Sequence, residues 1–367
     1  MSLPNRSYWE NELYDQKYDL IVIGAGLTGL SAAYFFKEEH QDANVLVLDR
    51  GFYPIGASTR NAGFACIGSV GELMADLEIE SENTVKQRIK DRYEGLMLLR
   101  ETLGDKNIEY DACGGWEIFT DSDEFIRLKD SVSMLNNWME KTTGEKEVFE
   151  IGTYLENPSF FNRVEGQLHP GKMIKTLHQK CIRSGIEFRW NAEVDNLNTE
   201  MNEVILKNDQ VFKSDHLIIA TNAFAGKLLP KTDIKPGRGY VFITKKISTM
   251  DWKGTFHYNK GYVYFRNVGE NRILIGGGRN VARKEETTSE FGLNESIKEY
   301  LTNFADEVLH LEKGWSIEQE WSGIMGFTDS KSYILEEVGD NCVLAAGLSG
   351  MGVALGMNLG KKAADLV

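Results

Sequence analysis

Cysteine is scarce in this chain. Its four residues, Cys66, Cys113, Cys181 and Cys342, lie far apart, and no two share a Cys-x-x-Cys spacing. That excludes a disulfide framework and a cysteine-based zinc site, so no metal is expected. Scattered thiols fit a reducing, cytoplasmic compartment. Long apolar runs are also absent: residues 20–23 and 217–220 are among the longest, far too short for a bilayer span. Residues 1–17 are polar and acidic rather than basic and then apolar, so no secretory leader is expected. Basic runs are missing as well. Lys245-Lys246 and Lys361-Lys362 are isolated pairs among 41 basic and 55 acidic residues, a net charge of -14. Such a balance argues against nucleic acid as a partner and mildly favours cationic ligands.

What is present is enough apolar sequence for two closely joined domains: 367 residues, 42% hydrophobic. Residues 18–23 read as a buried strand, followed by a glycine turn, a helix over 30–39 and a second strand over 44–48. Residues 51–71 read as a long loop, a length that usually carries function. Helices are expected over 84–103, 123–141, 170–184, 294–304 and 353–366. Strands are expected over 115–120, 186–194, 204–206, 210–212, 217–220 and 341–346. Residues 239–244, 261–266 and 271–276 alternate like antiparallel strands. The class is therefore α/β (α+β overall), a Rossmann-type domain joined to an antiparallel-sheet substrate domain. Residues 18–83, 166–235 and 315–367 are assigned to the first, and 84–165 and 236–314 to the second.

The chemistry starts at Gly24-Ala25-Gly26-Leu27-Thr28-Gly29, between the first strand and its helix. Gly24 permits the tight turn, Gly26 lets the backbone approach a pyrophosphate, and Gly29 lets helix and strand pack closely. The helix N-terminus offers N–H donors and a positive dipole end to phosphate. Asp49 ends the second strand, where a carboxylate accepts ribose hydroxyl hydrogen bonds and disfavours a 2′-phosphate. NADP is not expected; the motif alone leaves NAD and FAD open.

Three further segments separate them: Ala57-Ser-Thr-Arg-Asn-Ala-Gly63, Leu217-Ile-Ile-Ala-Thr-Asn222 and Ala345-Ala-Gly-Leu-Ser-Gly-Met-Gly-Val353. With the glycine motif they resemble the D-amino-acid oxidase-like family of FAD-dependent oxidoreductases, which includes glycine and sarcosine oxidases. The resemblance spans nearly the whole chain. The lead Ser7-Tyr-Trp-Glu10, the Ser58–Gly63 segment and Arg272-Ile-Leu-Ile-Gly-Gly-Gly278 look most like the γ-glutamylputrescine oxidoreductase-like branch. The resemblance implies that Ser58, Thr59, Arg60, Asn61 and Gly63 line the pyrophosphate and the near edge of the flavin. It places Val194 against adenine, Ala220 and Thr221 beside the cofactor, and Gly347, Gly350, Met351 and Gly352 at the pyrimidine end. Leu27, Thr28, Arg50 and Gly323 complete the implied FAD set. Reduced flavin carries negative charge near N1 and O2, which N–H groups at a helix start are suited to hold. No His lies in the 58–71 loop and Cys66 matches no known attachment, so FAD is expected to be non-covalent.

The resemblance further implies hydride transfer from the carbon beside nitrogen to flavin N5, giving an imine that hydrolyses. The substrate is then a small amine or amino acid, and oxygen or another acceptor reoxidises the flavin. In Tyr262-Val-Tyr-Phe-Arg266, Tyr262 matches the tyrosine over the flavin, with Tyr258 and Tyr264 behind it. Where amino-acid oxidases of the family commonly carry an Arg-Pro pair that clamps the substrate carboxylate, this chain has Met325-Gly326. Either another arginine (Arg60, Arg266 or Arg279) supplies the clamp, or the substrate has no α-carboxylate. Two alternatives stand beside this expectation: a non-catalytic FAD-bearing subunit of a larger complex, and a NAD-dependent dehydrogenase sharing only the nucleotide motif. The oligomeric state stays open.

Overall fold

The computed structural model describes residues 7–14, 16–248 and 252–367. Residues 1–6 of the polar lead, and part of the 236–314 assignment, therefore lie outside the described residues. Among the described residues, no helix is long and apolar enough to cross a membrane.

Two eight-stranded sheets organise the molecule. The first is built on Tyr18–Ile23, which is buried along almost its whole length between Val45–Leu48 and Val211–Ile219. Cys342–Ala346 and Glu187–Arg189 extend the parallel core on either side, and Ile334–Gly339 closes one edge antiparallel. Strands covered on both faces need continuous rather than alternating apolar sequence, as these have. Val211–Ile219 is one strand, although its sequence reads as two. Its first half alternates exposed and buried positions while pairing antiparallel with Glu203–Leu206; its second half is buried throughout in the parallel core. The expected strand over 186–194 is instead two, Glu187–Arg189 and Val194–Asn198.

Helices Leu27–Glu39, Pro170–Arg183, Glu82–Leu103 and Gly352–Ala364 share one hydrophobic core with this sheet. They pack at glycines. A Cβ on Gly360 would lie 2.4 Å from the Thr28 carbonyl oxygen, and one on Gly95 would lie 2.1 Å from that of Ala354. Glu82–Leu103, assigned by sequence to the substrate domain, thus rests on the helix layer of the first sheet.

The second sheet runs in the order Ile317–Phe327, Lys235–Thr244, Arg272–Gly277, Val263–Val268, Thr255–Tyr258, Gly115–Ile118, Asn157–Asn162, Phe149–Tyr154. Every pairing is antiparallel except that of Thr255–Tyr258 with Gly115–Ile118. Ile317–Phe327 corrects the sequence assignment, which placed it with the nucleotide-binding stretches; it pairs with Lys235–Thr244 over nearly its full length. One face of this sheet carries Phe256, Val263 and Phe265 against helix Glu295–Glu307. The opposite face carries Val241, Tyr264 and Leu274 against Ala62 and Phe64 of the 57–65 segment. The second sheet therefore lies over the segment that follows the second parallel strand.

Candidate active site

The glycine turn is built as its sequence demands. Gly24 sits at φ +104°, and a Cβ there would lie 2.7 Å from the Ala220 carbonyl oxygen. A Cβ on Gly29 would lie 1.9 Å from the Gly24 oxygen. Gly26 is different: its Cβ would meet only the Ser58 Oγ, at 3.1 Å. The space above Gly26 is otherwise free of the chain. The N-cap of helix Leu27–Glu39 is Gly26, which has no side chain to cap it; the helix begins three residues earlier than its sequence suggests. The Leu27 N–H donates to the Ser58 Oγ at 2.9 Å, and the N–H groups of Thr28 and Gly29 belong to the uncapped first turn. Asp49 accepts N–H bonds from Ala25 and Gly51, both at 2.8 Å. Burial raises its carboxyl pKa, and those two donors pull it back down. Thr221 Oγ1 is buried without a partner beside this turn. Arg50 stacks over Phe224 at 3.8 Å, and Val194 is half-buried at the start of its strand.

The 51–71 stretch is less irregular than its composition suggests. It holds the short helix Ala57–Arg60, the two-residue strand Phe64–Ala65 and the start of helix Val70–Leu77, capped by Ser69. Thr59 donates to the Pro54 oxygen, and the Asn61 side chain bonds Ser58 and the Gly63 N–H. Arg60 donates to the Ile55 and Ser322 oxygens, each at 2.9 Å, and its Cβ lies 3.3 Å from where a Gly323 Cβ would stand. Arg266 reaches across from the second sheet to Ala62, Gln167 and Leu168. Burial lowers its pKa to about 10.

The C-terminal turn places a second uncapped helix start near the first. Gly347 and Gly350 adopt φ +82° and +89°, and no side chain caps Gly352–Ala364 after its N-cap Met351. Asn222 accepts the Gly347 N–H, and the Gly326 oxygen accepts that of Ser349. One turn into this helix, Gly356 packs on Leu27, the first residue of the other uncapped helix. The two helix N-termini thus lie close together, and the space between them and the second sheet is the candidate crevice.

The second sheet supplies the opposite wall. Met325 Sδ lies 4.0 Å from the position of a Gly350 Cβ, and its Cε 2.8 Å from that of a Gly239 Cβ. Tyr264 packs edge-on against Phe64, with ring centroids 5.3 Å apart. Burial raises its phenol pKa. Tyr264, not Tyr262, occupies the face turned toward the glycine segments. Tyr262 falls in the turn before Val263–Val268 and is 47% exposed. Tyr258 bonds Thr120 and packs on Phe304, on the face turned away. Arg279 lies over Phe327 at 4.3 Å.

Beneath this wall is a buried polar cluster that sequence inspection did not assemble. Glu165 accepts the N–H groups of Ile67 and Gly68 and faces His257 at 3.1 Å. Burial alone would lower the His257 pKa; the Glu165 carboxylate raises it overall. Glu117 accepts from Ser69 and Gly71, and burial lifts it to about 7. Cys66 joins Glu165 and His257 with donor atoms within 4.8 Å of one another, a grouping its isolation in sequence gives no reason to expect. Its thiol pKa is pushed well up by burial.

These residues fit a dinucleotide carrying a ring system: a Cβ-free approach at Gly26, an orphaned Thr221 hydroxyl, an oriented Asp49 and a second helix start for the ring. The family described as "FAD dependent oxidoreductase" (DAO) matches residues 19–366. The chain belongs to this family. Its FAD dependence sets aside the nicotinamide alternative. The chain is 23% identical to the probable oxidoreductase OrdL of Rhizobium meliloti over 100% of its own length and 86% of that protein. It is also 23% identical to the gamma-glutamylputrescine oxidoreductase of Escherichia coli, covering 95% and 83% of the two. Its fold is that of glycine oxidase from Geobacillus kaustophilus, with a TM-score of 0.75 at 18% identity over 95% and 94% of the two chains. This member of the DAO family is an FAD-dependent oxidoreductase.

Proposed function

We propose that this flavoenzyme oxidises the CH–NH bond of a small amine or amino acid, with FAD held non-covalently. The observation that carries this reading is a juxtaposition. Two helix starts whose N-cap residues add no side-chain cap lie together through Gly356 and Leu27, and on the second sheet Met325 abuts Gly350 while Tyr264 packs on Phe64. Bound FAD supplies a hydride acceptor at N5 for the carbon beside nitrogen. The nitrogen loses its proton as C=N forms, and water then splits the imine into a carbonyl compound and an amine or ammonia. The chain's part is positioning. Gly26, Thr28, Gly29 and Ser58 would hold the pyrophosphate, and Asp49 the ribose. The N–H groups of Gly350 and Gly352 would hold negative charge at the ring's pyrimidine end, while that of Met351 is donated to the Leu348 oxygen and shapes the turn. Phe64, Tyr264 and Met325 form a wall that keeps water from the reacting carbon.

A covalent flavin link is disfavoured at both nearby candidates. Cys66 is held neutral by burial, and the His257 Nε2 is engaged by Glu165. We assign the parallel sheet to the cofactor and the antiparallel sheet to the substrate, in a cytoplasmic enzyme consistent with its four free cysteines. The test is anaerobic addition of amines, D- and L-amino acids and N-methylated amino acids to the FAD-loaded protein. At least one class should bleach the flavin band. A photoreducible flavin that no amine bleaches would instead support a non-catalytic FAD-bearing subunit.

A further inference from the structure

The arginines near the crevice are not equivalent. Arg60 and Arg266 are engaged by backbone and amide oxygens that fix the flavin-facing loops. Arg238 is held by both oxygens of Glu286, each at 2.8 Å. Among the described residues, Arg279 alone of the four has no hydrogen bond and no ion pair, and its Nε is buried without a partner. Burial, then the neighbouring Arg283, lowers its pKa. The acids opposing this are Glu286, whose carboxylate is already bound by Arg238 and Asn294, and the Tyr262 phenol. A half-buried guanidinium without a counter-charge is costly unless an anion completes it.

The chain makes room for this group deliberately. Gly277 and Gly278, at φ +111° and +71°, turn the backbone so that Arg279 opens a short 3-10 helix. Across the sheet, a Cβ on Gly237 would lie 3.0 Å from the Arg279 Cζ and 2.4 Å from the Phe327 ring. Phe327 in turn follows Met325 by two residues on Ile317–Phe327, so the two side chains share a face about 7 Å apart. Met325 abuts Gly350 of the ring-binding turn. Arg279 therefore stands one strand repeat beyond the residue at the ring.

We infer that Arg279 binds a substrate carboxylate against the Phe327 ring, so that the physiological substrate is a carboxylate-bearing amine rather than a simple one. This rests on the proposed function for where the substrate lies, and it assigns the clamp to a strand end other than the one holding Met325-Gly326.

The experiment titrates the FAD-loaded enzyme with benzoate and with uncharged benzamide, following the visible flavin band. Benzoate should perturb the band and bind at least tenfold more tightly than benzamide. Arg279→Met should lose at least tenfold in benzoate affinity with unchanged flavin content, and Arg279→Lys should retain part of it. Equal binding of the two ligands, no benzoate perturbation in the wild type, or wild-type benzoate affinity in Arg279→Met would overturn the inference. Bleaching separates this result from the broader reading. Sarcosine, glycine and 4-aminobutyrate should outperform butylamine and glycinamide in the wild type and lose that advantage in Arg279→Met. If no amine bleaches the flavin, the proposed function fails. If charged and uncharged amines bleach it equally well in both proteins, the clamp alone fails.

Discussion

Replacing Gly26 by valine should separate cofactor binding from folding. A Cβ at this position meets one atom of the chain, the Ser58 Oγ, at the end of a rotatable side chain. Displacing it breaks the bond from the Leu27 N–H, worth about 1 kcal/mol. A β-branched residue at the helix N-cap costs about 1 kcal/mol more. The apo-protein should therefore lose about 2 kcal/mol, a Tm shift of a few degrees. The valine methyls would also fill the space in front of the uncapped N–H groups, where a pyrophosphate must approach. FAD affinity should fall at least a hundredfold, about 3 kcal/mol. Gly24→Ala provides the contrast, because its Cβ meets the Ala220 backbone at 2.7 Å and its φ of +104° is strained for alanine. It should cost about 3 kcal/mol or more in folding itself. Flavin absorbance per protein after desalting, with apo-protein Tm, measures both effects. Full flavin content in Gly26→Val, or an apo-protein as damaged as Gly24→Ala, would refute the reasoning.

Tyr264→Phe should lower kcat/KM about tenfold with FAD retained, whereas Tyr258→Phe should leave turnover unchanged; steady-state kinetics of the two variants decides between the faces. Arg266→Met strands the Ala62 and Leu168 carbonyls and should cost about 3 kcal/mol, read as a lower urea midpoint. Stability should also depend on pH. Glu117, lifted to about 7, and His257, raised by Glu165, both bind protons more tightly in the folded state. Their contribution is present at low pH and lost as pH rises from about 4.5 through 7 and beyond, up to about 3 kcal/mol for Glu117. Tm across pH 5 to 8 should fall, and Glu117→Gln should flatten that slope; a rising or unaltered profile would contradict it.

Much of the nucleotide cradle is legible in the sequence because its elements are local. The strand, glycine turn, helix and acid all fall between Tyr18 and Asp49, and each glycine has a steric reason visible in the motif itself. The wall opposite is not local. Whether Tyr262 or Tyr264 faces the crevice depends on where the strand begins, and the turn at residues 261–262 moves the relevant tyrosine by two positions. Arg60, Arg266 and Arg279 look alike in sequence; only the carbonyls that Arg60 and Arg266 meet, up to 262 residues away, set them apart from Arg279. Glu165 and His257, 92 residues apart, are likewise brought together only by the tertiary fold. Ile317–Phe327 reads with the first sheet because the strands after it belong there, while its hydrogen-bonding partner lies some eighty residues earlier.

A crystal structure of the FAD-loaded protein tests the central claim most directly. The pyrophosphate should lie on Gly26–Gly29 at the first helix start, and the ring's pyrimidine edge on Gly350–Gly352, with Tyr264 and Met325 on the substrate side. A flavin ring turned away from the second sheet, or phosphates bound elsewhere, would contradict it.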